Sequence, residues 1–281
     1  MNMFDKIIDT ALENAKDYVT LRPVVEKELL HIDVLSEMNR QGLLAGLTFI
    51  GGTCLRKCYG SERLSEDLDF TGGLDFTKGQ LATLTPALAE RFLKKYGLSA
   101  DVTEPVRETG DTDTWKIKVI MQQSRPDIPA QRINIDICKL PSYERRPMML
   151  KNQYGIETGT SGLILYAESL EEILADKLIA IAFRPNRVKN RDVWDILWLS
   201  RQNIKLNKSL LEKKVADRGK AYNTFLAIYR ERVNALPAQH KEFLFEMKRF
   251  LSPATFTSGD SSLNSPTLWE YIVLMLQEMK I

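Results

Sequence analysis

The hydrophobic pattern changes period twice along the chain. Phe4, Ile7, Ile8, Leu12 and Ala15 recur at spacings of three and four, which predicts a helix ending near Leu21. Pro23, suited to a first helical turn, opens a second helix from Val24 to about Arg40, with Gly42 as its stop. The apolar run Leu47–Ile50 then reads as a buried strand closed by a tight Gly51-Gly52 turn. From there to about residue 140 the period falls to two. Leu68 and Phe70 alternate with Asp67 and Asp69; Trp115, Ile117 and Val119 alternate with Lys116 and Lys118; Ile133, Ile135 and Ile137 alternate with Asn134 and Asp136. Residues 78–96 read as an intervening helix in which Pro86 lies in a turn or makes a kink. After about residue 165 only helical patterns follow, at 167–183, 191–201, 207–217, 220–235, 238–250 and 267–280, with a Ser/Pro/Gly-rich loop at 252–267. The expected organisation is an α+β (α/β-like) sheet domain over 1–165 and an all-helical domain over 166–281.

Composition narrows the class of protein. The 281 residues are 44% hydrophobic and 27% charged, values of an ordinary globular chain rather than a disordered one. A net charge of +2 gives no global sign of a nucleic-acid or membrane binder. Three cysteines, an odd number, speak against a disulfide framework, and two histidines leave little for a zinc site. The first residues mix acids and bases without the apolar core of a secretion signal, and no apolar run approaches the roughly 18 residues of a membrane span. A cytoplasmic location, without a membrane partner, is the expectation. Locally the balance shifts: residues 184–220 hold 11 Lys/Arg against four acids. That excess suits a phosphate backbone, although for a charge cluster alone a solvated helix surface is the simpler reading and nucleic-acid binding needs other support.

The candidate chemistry is concentrated between residues 49 and 70. Gly51 and Gly52 permit unusual backbone angles and close approach of a ligand, and Thr53 starts a short helix whose N–H groups and hydroxyl suit a phosphate. Asp67 and Asp69, two apart on a strand, project from one face, where they repel each other unless a cation joins them. Magnesium, a hard ion that takes carboxylate and phosphate oxygens, is the natural occupant, with manganese as a substitute. Asp136, framed by Ile135 and Ile137, is a third candidate ligand, or equally a polar residue on a solvent-facing sheet side. Taken singly, a Gly-Gly-Thr turn or an Asp-x-Asp pair says little; their ordered combination is far more specific.

Downstream, Leu170, Ile173, Leu174, Leu178 and Ile181 form a helical stripe with Lys177 in its middle. A buried ammonium needs a partner or an anion, unless its tip snorkels to water. Asp192 and Asp195 share a face of the next helix; Asp192 suits the helix dipole, and Asp195 is a candidate partner for Arg191 or Arg187. Arg63 and Ser65, just before the acid pair, are candidate triphosphate contacts. Cys54, Cys58, Trp194 and Trp198 read as packing residues.

The ordered set Gly51-Gly52-Thr53, Arg63-Leu64-Ser65-Glu66-Asp67-Leu68-Asp69-Phe70, the later Ala175-Asp176-Lys177-Leu178 and Arg191-Asp192-x-x-Asp195 resembles the nucleotidyltransferase superfamily that shares the DNA polymerase β palm. Within it the chain is most similar to the AbiEii/AbiGii toxin branch, to which the MenT toxins are related. The sequence departs from the pattern in Thr53, where many members carry Ser, and in a somewhat long gap of thirteen residues between Thr53 and Asp67. The resemblance implies a mixed sheet core with flanking helices, an NTP substrate and metal-assisted nucleotidyl transfer. It implies Asp67, Asp69, Lys177 and Asp192 as catalytic residues, Gly51, Gly52, Thr53, Arg63, Ser65 and Lys177 around the nucleotide, and Asp67, Asp69 and Asp136 on the metal. It further implies a toxin of a toxin–antitoxin or phage-defence (antiviral) system acting on an RNA acceptor, the 3′ end of a transfer RNA, and relieved by a cognate antitoxin whose direct binding is left open. Transfer to a small molecule or protein hydroxyl, or a non-catalytic interaction module on the same scaffold, are the alternatives. A phosphatase reading of Asp67-Leu68-Asp69-Phe70-Thr71 ranks lower, because a polar segment rather than an apolar strand precedes it and the glycine turn would be idle.

Overall fold

A computed structural model of the protein describes residues 3–106, 110–121, 129–157, 159–160, 162–257 and 262–281. The chain divides into two compact units, Met1–Ala167 and Glu168–Ile281. Among the described residues, no helix is long and apolar enough to cross a membrane. The expected mixed sheet with helices, followed by helices alone, is what is observed.

The first unit begins with α1 (Met3–Asn14), a 3₁₀ turn, and α2 (Arg22–Arg40), whose first turn contains Pro23. Strand β1 (Thr48–Ile50) runs directly into the short helix α3 (Gly51–Cys54), which continues as a wider π turn to Tyr59 and stops at Gly60 with φ of 87°. β2 (Leu68–Thr71) follows, then α4 (Leu84–Tyr96), β3 (Ser99–Thr103), β4 (Thr112–Ile120), β5 (Gln131–Cys138), β6 (Arg145–Met149) and β7 (Ile164–Glu168). Pro86 neither breaks nor precedes α4. It is the third helical residue, where an N–H has no intrahelical acceptor to lose.

The seven strands are ordered β3-β4-β5-β2-β1-β7-β6. β2 runs antiparallel to β1 and parallel to β5; β4 is antiparallel to both β3 and β5; β7 is parallel to β1. Period-two alternation sends Phe49, Phe70, Trp115, Ile117, Ile135 and Ile137 into the core, with the Phe49 and Phe70 rings 5.0 Å apart. The same pairings align Ile50, Asp69, Asp136 and Thr114 as successive partners across four strands. The alternating pattern that builds the core therefore also lays a polar row across the opposite face of the sheet.

Three strands went unread in the sequence. β3 and β6 are the sheet's edges, and their side chains are mostly half-buried or exposed, so no apolar alternation marks them. β6 also carries Arg145, Arg146 and Pro147, residues that protect an edge from further pairing. β7 lies immediately before a helix, where its short alternation merges with the helical signal.

In the second unit, α5 (Leu170–Phe183) packs against α6 (Asn190–Arg201), α7 (Lys208–Asp217) and α8 (Tyr222–Ala235), and α9 (His240–Met247) and α10 (Pro266–Gln277) complete the bundle. Ser169 caps α5 by accepting the Glu172 N–H at 3.1 Å. Phe225 lies within 5.9 Å, ring to ring, of Phe183, Tyr222 and Tyr229, which ties α8 to the end of α5. Part of the expected 252–267 loop is a 3₁₀ turn, Pro253–Phe256; residues 258–261 lie outside the described residues.

α2 also contains a pH-sensitive element. His31 is fully buried, its Nε2 donating to the Glu66 carbonyl at 2.9 Å, and burial together with the nearby Lys57 ammonium pushes its pKa down to about 4. The unfolded chain protonates this imidazole near pH 6.5, so it binds more protons than the native state between those values. Stability is therefore expected to fall as pH drops from about 6.5 towards 4, by up to about 3 kcal/mol from this group. Urea midpoints measured across that range should show a shallower slope in His31→Gln; an unchanged slope would refute the assignment.

Candidate active site

The first unit brings its candidate residues together around the β1–α3 turn. Gly51 adopts φ of 74°, and a Cβ there would lie 2.8 Å from Asp69 Oδ2. At Gly52 a Cβ would lie 2.1 Å from an Arg63 guanidinium nitrogen. Each glycine thus makes room for one charged side chain: a carboxylate against the first, a guanidinium against the second. Gly52→Ala is expected to displace Arg63 and destabilise the first unit by about 1–3 kcal/mol through overpacking. In an Arg63→Ala background the same change should cost much less, and equal costs in urea denaturation of the two backgrounds would argue against the contact.

Thr53 is fully buried. Its hydroxyl is hydrogen-bonded to Ser65 Oγ at 2.7 Å and to the Asp67 carbonyl oxygen, which fastens α3 to the segment leading into β2. The hydroxyl that the sequence offered for a phosphate is thus engaged inside the protein. Ser65 and Arg63 are also buried, and an Arg63 Nη1 donates to the Leu64 carbonyl at 2.8 Å.

Asp67 accepts the Asn134 backbone N–H at 3.2 Å, while Asp69 is the register partner of Asp136 on the adjacent parallel strand. Asp136 in turn accepts a hydrogen bond from Thr114 at 2.6 Å. Asp67, Asp69 and Asp136 are all half-buried. Among the described residues, no three carboxylate, imidazole or thiolate groups converge on one point where a cation would sit. One Asp67 oxygen is directed to a backbone N–H and one Asp136 oxygen to a hydroxyl. The donors present are all hard oxygens, and they suit Mg²⁺ if phosphate oxygens and water complete its shell.

Sequence reading passed over the support beneath this site. Glu28 of α2 is completely buried. It accepts the Ser65 backbone N–H at 3.0 Å, the Tyr154 hydroxyl at 2.6 Å and Arg56 Nε at 3.3 Å. Arg56 also donates to the carbonyls of Ser61 and Glu62. Glu28 and Arg56 hold the segment that carries Arg63, Ser65 and Asp67. Arg56, Lys57 and Tyr154 hold Glu28 itself in the carboxylate form, below its usual range, despite its burial. A charged residue within the apolar stripe of α2 was the available signal. Thr114 had one as well, being on the polar side of an alternating strand.

In the second unit Lys177 is buried between two carboxylates, Asp192 Oδ1 at 2.8 Å and Asp195 Oδ2 at 2.7 Å. Arg184 reaches the other oxygen of Asp192 at 2.9 Å. Lys177 and Arg184 face Asp192 and Asp195. Asp195 is thus a partner of Lys177. The i, i+3 spacing turns it with Asp192 towards α5, whereas Arg191 goes to Glu246 at 3.5 Å and to the Phe250 ring. The basic segment also differs from its expected surface character. Lys214 is buried against Glu168, Glu172 and Asp176, and Arg218 pairs with Asp176, while Arg187, Arg201, Lys205, Lys208, Lys213 and Lys220 remain exposed.

Comparison with known proteins places this geometry. Residues 33–270 match the family model of the AbiEii nucleotidyl transferase toxin of type IV toxin–antitoxin systems. The fold is similar to that of MenT4, a nucleotidyltransferase toxin from Mycobacterium tuberculosis H37Rv, with a TM-score of 0.59 and 14% identity over 97% of this chain and 88% of that one. It is also similar to a Helicobacter pylori protein assigned as a nucleotidyltransferase, with a TM-score of 0.50 and 15% identity over 91% and 95% of the two chains. No curated protein sequence matches the chain.

Proposed function

The chain belongs to the AbiEii family of nucleotidyltransferase toxins of type IV toxin–antitoxin systems, and from that premise we propose that it transfers a nucleotidyl group from an NTP to the 3′ end of a transfer RNA, arresting growth until a cognate antitoxin intervenes. The observation that carries the reading is the alignment of Asp69 with Asp136 across β2 and β5, directly beside the Gly51-Gly52 turn. Asp67 and Asp69 hold Mg²⁺, or Mn²⁺ in its place, with Asp136 as the neighbouring acid. When bound, the ion neutralises triphosphate charge and polarises the phosphorus–oxygen bond under attack.

The protein's own groups do the rest. Gly51 and Gly52, by leaving room for Asp69 and Arg63, set these two charged groups beside the turn that faces the triphosphate. Arg63 and Ser65, held by α3 and by Glu28, orient the triphosphate, while Thr53 serves as the strut that fixes their segment. Lys177 supplies positive charge to the phosphates during transfer, and Asp192 and Asp195 set the position of its ammonium. Asp192 is also the candidate to accept the proton of the attacking hydroxyl. The exposed cations of α6, α7 and their connections offer counter-charges for an RNA backbone.

The test is incubation of the purified protein with each α-labelled NTP, Mg²⁺ and total cellular RNA. Label on RNA of transfer-RNA size, absent with Asp69→Asn, is the expected result. Label on protein or on a small molecule would replace the acceptor, and failure to transfer from any of the four nucleotides would overturn the reading.

A further inference from the structure

A second feature of the first unit borders the Glu28 cluster that supports the candidate site. A cavity of about 490 Å³ has apolar walls that include Ile32, Met148 and Ile156. Lys57 and Lys151 also line it, with the exposed Glu157 at its rim. Its volume falls within the range of small-molecule sites.

The charge beside it does not balance. Lys57 is 1% exposed. Its ammonium donates to the Glu28 carbonyl at 3.3 Å and lies 3.9 Å from the Glu28 carboxylate, which Arg56 already occupies at 3.3 Å. Among the nearby titratable groups, Tyr18, Tyr154 and His31 carry no charge to offset the second cation: burial raises both phenols above their usual value and lowers the imidazole's pKa to about 4, and the Lys57 ammonium lies 5.7 Å from the centre of the Tyr154 ring. One carboxylate thus serves two buried cations. Burial, opposed by Glu28 and aided by Arg56, pulls the Lys57 pKa down to about 8. An under-compensated ammonium against an apolar cavity is costly, and an anion in that cavity supplies the missing charge.

We propose that this cavity binds a small amphiphilic monoanion, its apolar body between Ile32, Met148 and Ile156 and its charged head on Lys57 and Lys151. Lys151, exposed and lining the same cavity, donates its ammonium to the Tyr59 carbonyl at 3.3 Å and its backbone N–H to the Lys57 carbonyl at 2.8 Å. The carboxylate of a fatty acid and the sulfonate of an aromatic dye share this chemistry.

The probes are 8-anilinonaphthalene-1-sulfonate, its near-neutral relative N-phenyl-1-naphthylamine, and decanoate as competitor, used with the full chain. The anionic dye is expected to bind at one site per chain and to be displaced by decanoate. Lys57→Met should weaken the anionic dye at least tenfold and the neutral dye less than twofold, whereas Ile156→Trp, which fills the cavity, should weaken both. If Lys57→Met does not fold, as judged by circular dichroism, Lys151→Met at the exposed rim should weaken the anionic dye about threefold. Unchanged affinity in the folded lysine variant, or in Ile156→Trp, overturns the proposal. None of these readings depends on nucleotidyl transfer, so the site and the enzymatic reading fail separately.

Discussion

Replacing Asp69 with asparagine is expected to reduce the turnover of nucleotidyl transfer by about a thousandfold or more, while the protein stays at least as stable as the wild type. The two halves of that result share one cause. Asn keeps the shape of Asp, so the packing against Gly51 is preserved. Removal of one charge relieves the repulsion between Asp69 and its register partner Asp136. Under the proposed assignment, however, the metal would lose an anionic ligand at the point where several kcal/mol of charge stabilisation arise, and each 1.4 kcal/mol is worth about tenfold in rate. Asp136→Asn is expected to cost less, about ten- to a hundredfold, because one Asp136 oxygen is already directed to the Thr114 hydroxyl. Single-turnover rates with saturating NTP, measured beside urea midpoints, separate these effects. If Asp69→Asn lost stability in step with activity, Asp69 would be a structural residue; if Asp136→Asn proved the more damaging, the metal assignment would shift to Asp136.

The second large effect is expected in the helical unit. Lys214 reaches Glu168, Glu172 and Asp176 at 2.7, 2.6 and 2.8 Å from a nearly inaccessible position. Burial and the neighbouring Asp176 push the Glu168 carboxyl well above the usual range, although Lys214 opposes them. Asp176 stays below its ordinary value despite burial, because Lys214 and Arg218 face it. Lys214→Met removes the cation that the three groups share, leaving Arg218 on Asp176, and is expected to cost about 3–5 kcal/mol at pH 7. The sign of the pH dependence provides the check. Without the lysine, folding raises the carboxylate pKa values, so the folded state binds more protons than the unfolded chain and the variant regains stability as pH falls from 7 to 5. A second substitution, Glu172→Gln, should recover part of the loss at pH 7. A deficit below about 1 kcal/mol, or one that grows on acidification, would contradict this account.

Lys214 also illustrates where sequence reading stops. Counted among its neighbours, it was one of many cations in a basic segment; folded, it is the centre of an acidic pocket. Its partners lie up to 46 positions away, and spacing along one helix carries no information about them. Lys177 was more legible, because an ammonium inside an apolar stripe needs an explanation. Asp192 is foreseeable as its partner; that Asp195 faces Lys177 as well depends on the face that α6 presents to α5, which is a matter of packing. Thr53 shows the converse. Its position after two glycines was read correctly, yet its hydroxyl is engaged with Ser65 and Asp67.

The sequence by itself determined the kind of molecule and most of its chemistry: a strand entering a glycine turn, alternating strands with acids on their polar side, and a helical half with a lysine and an acid pair. These are local properties, governed by backbone conformation and by the period at which apolar side chains repeat. Only the tertiary structure decided that Asp69 stands beside Asp136, that Gly52 exists to admit Arg63, and that Glu28 secures the segment between them. Strand order, register and the pairing of buried charges join residues far apart in the chain, and the energy that selects them arises only when those residues leave water together.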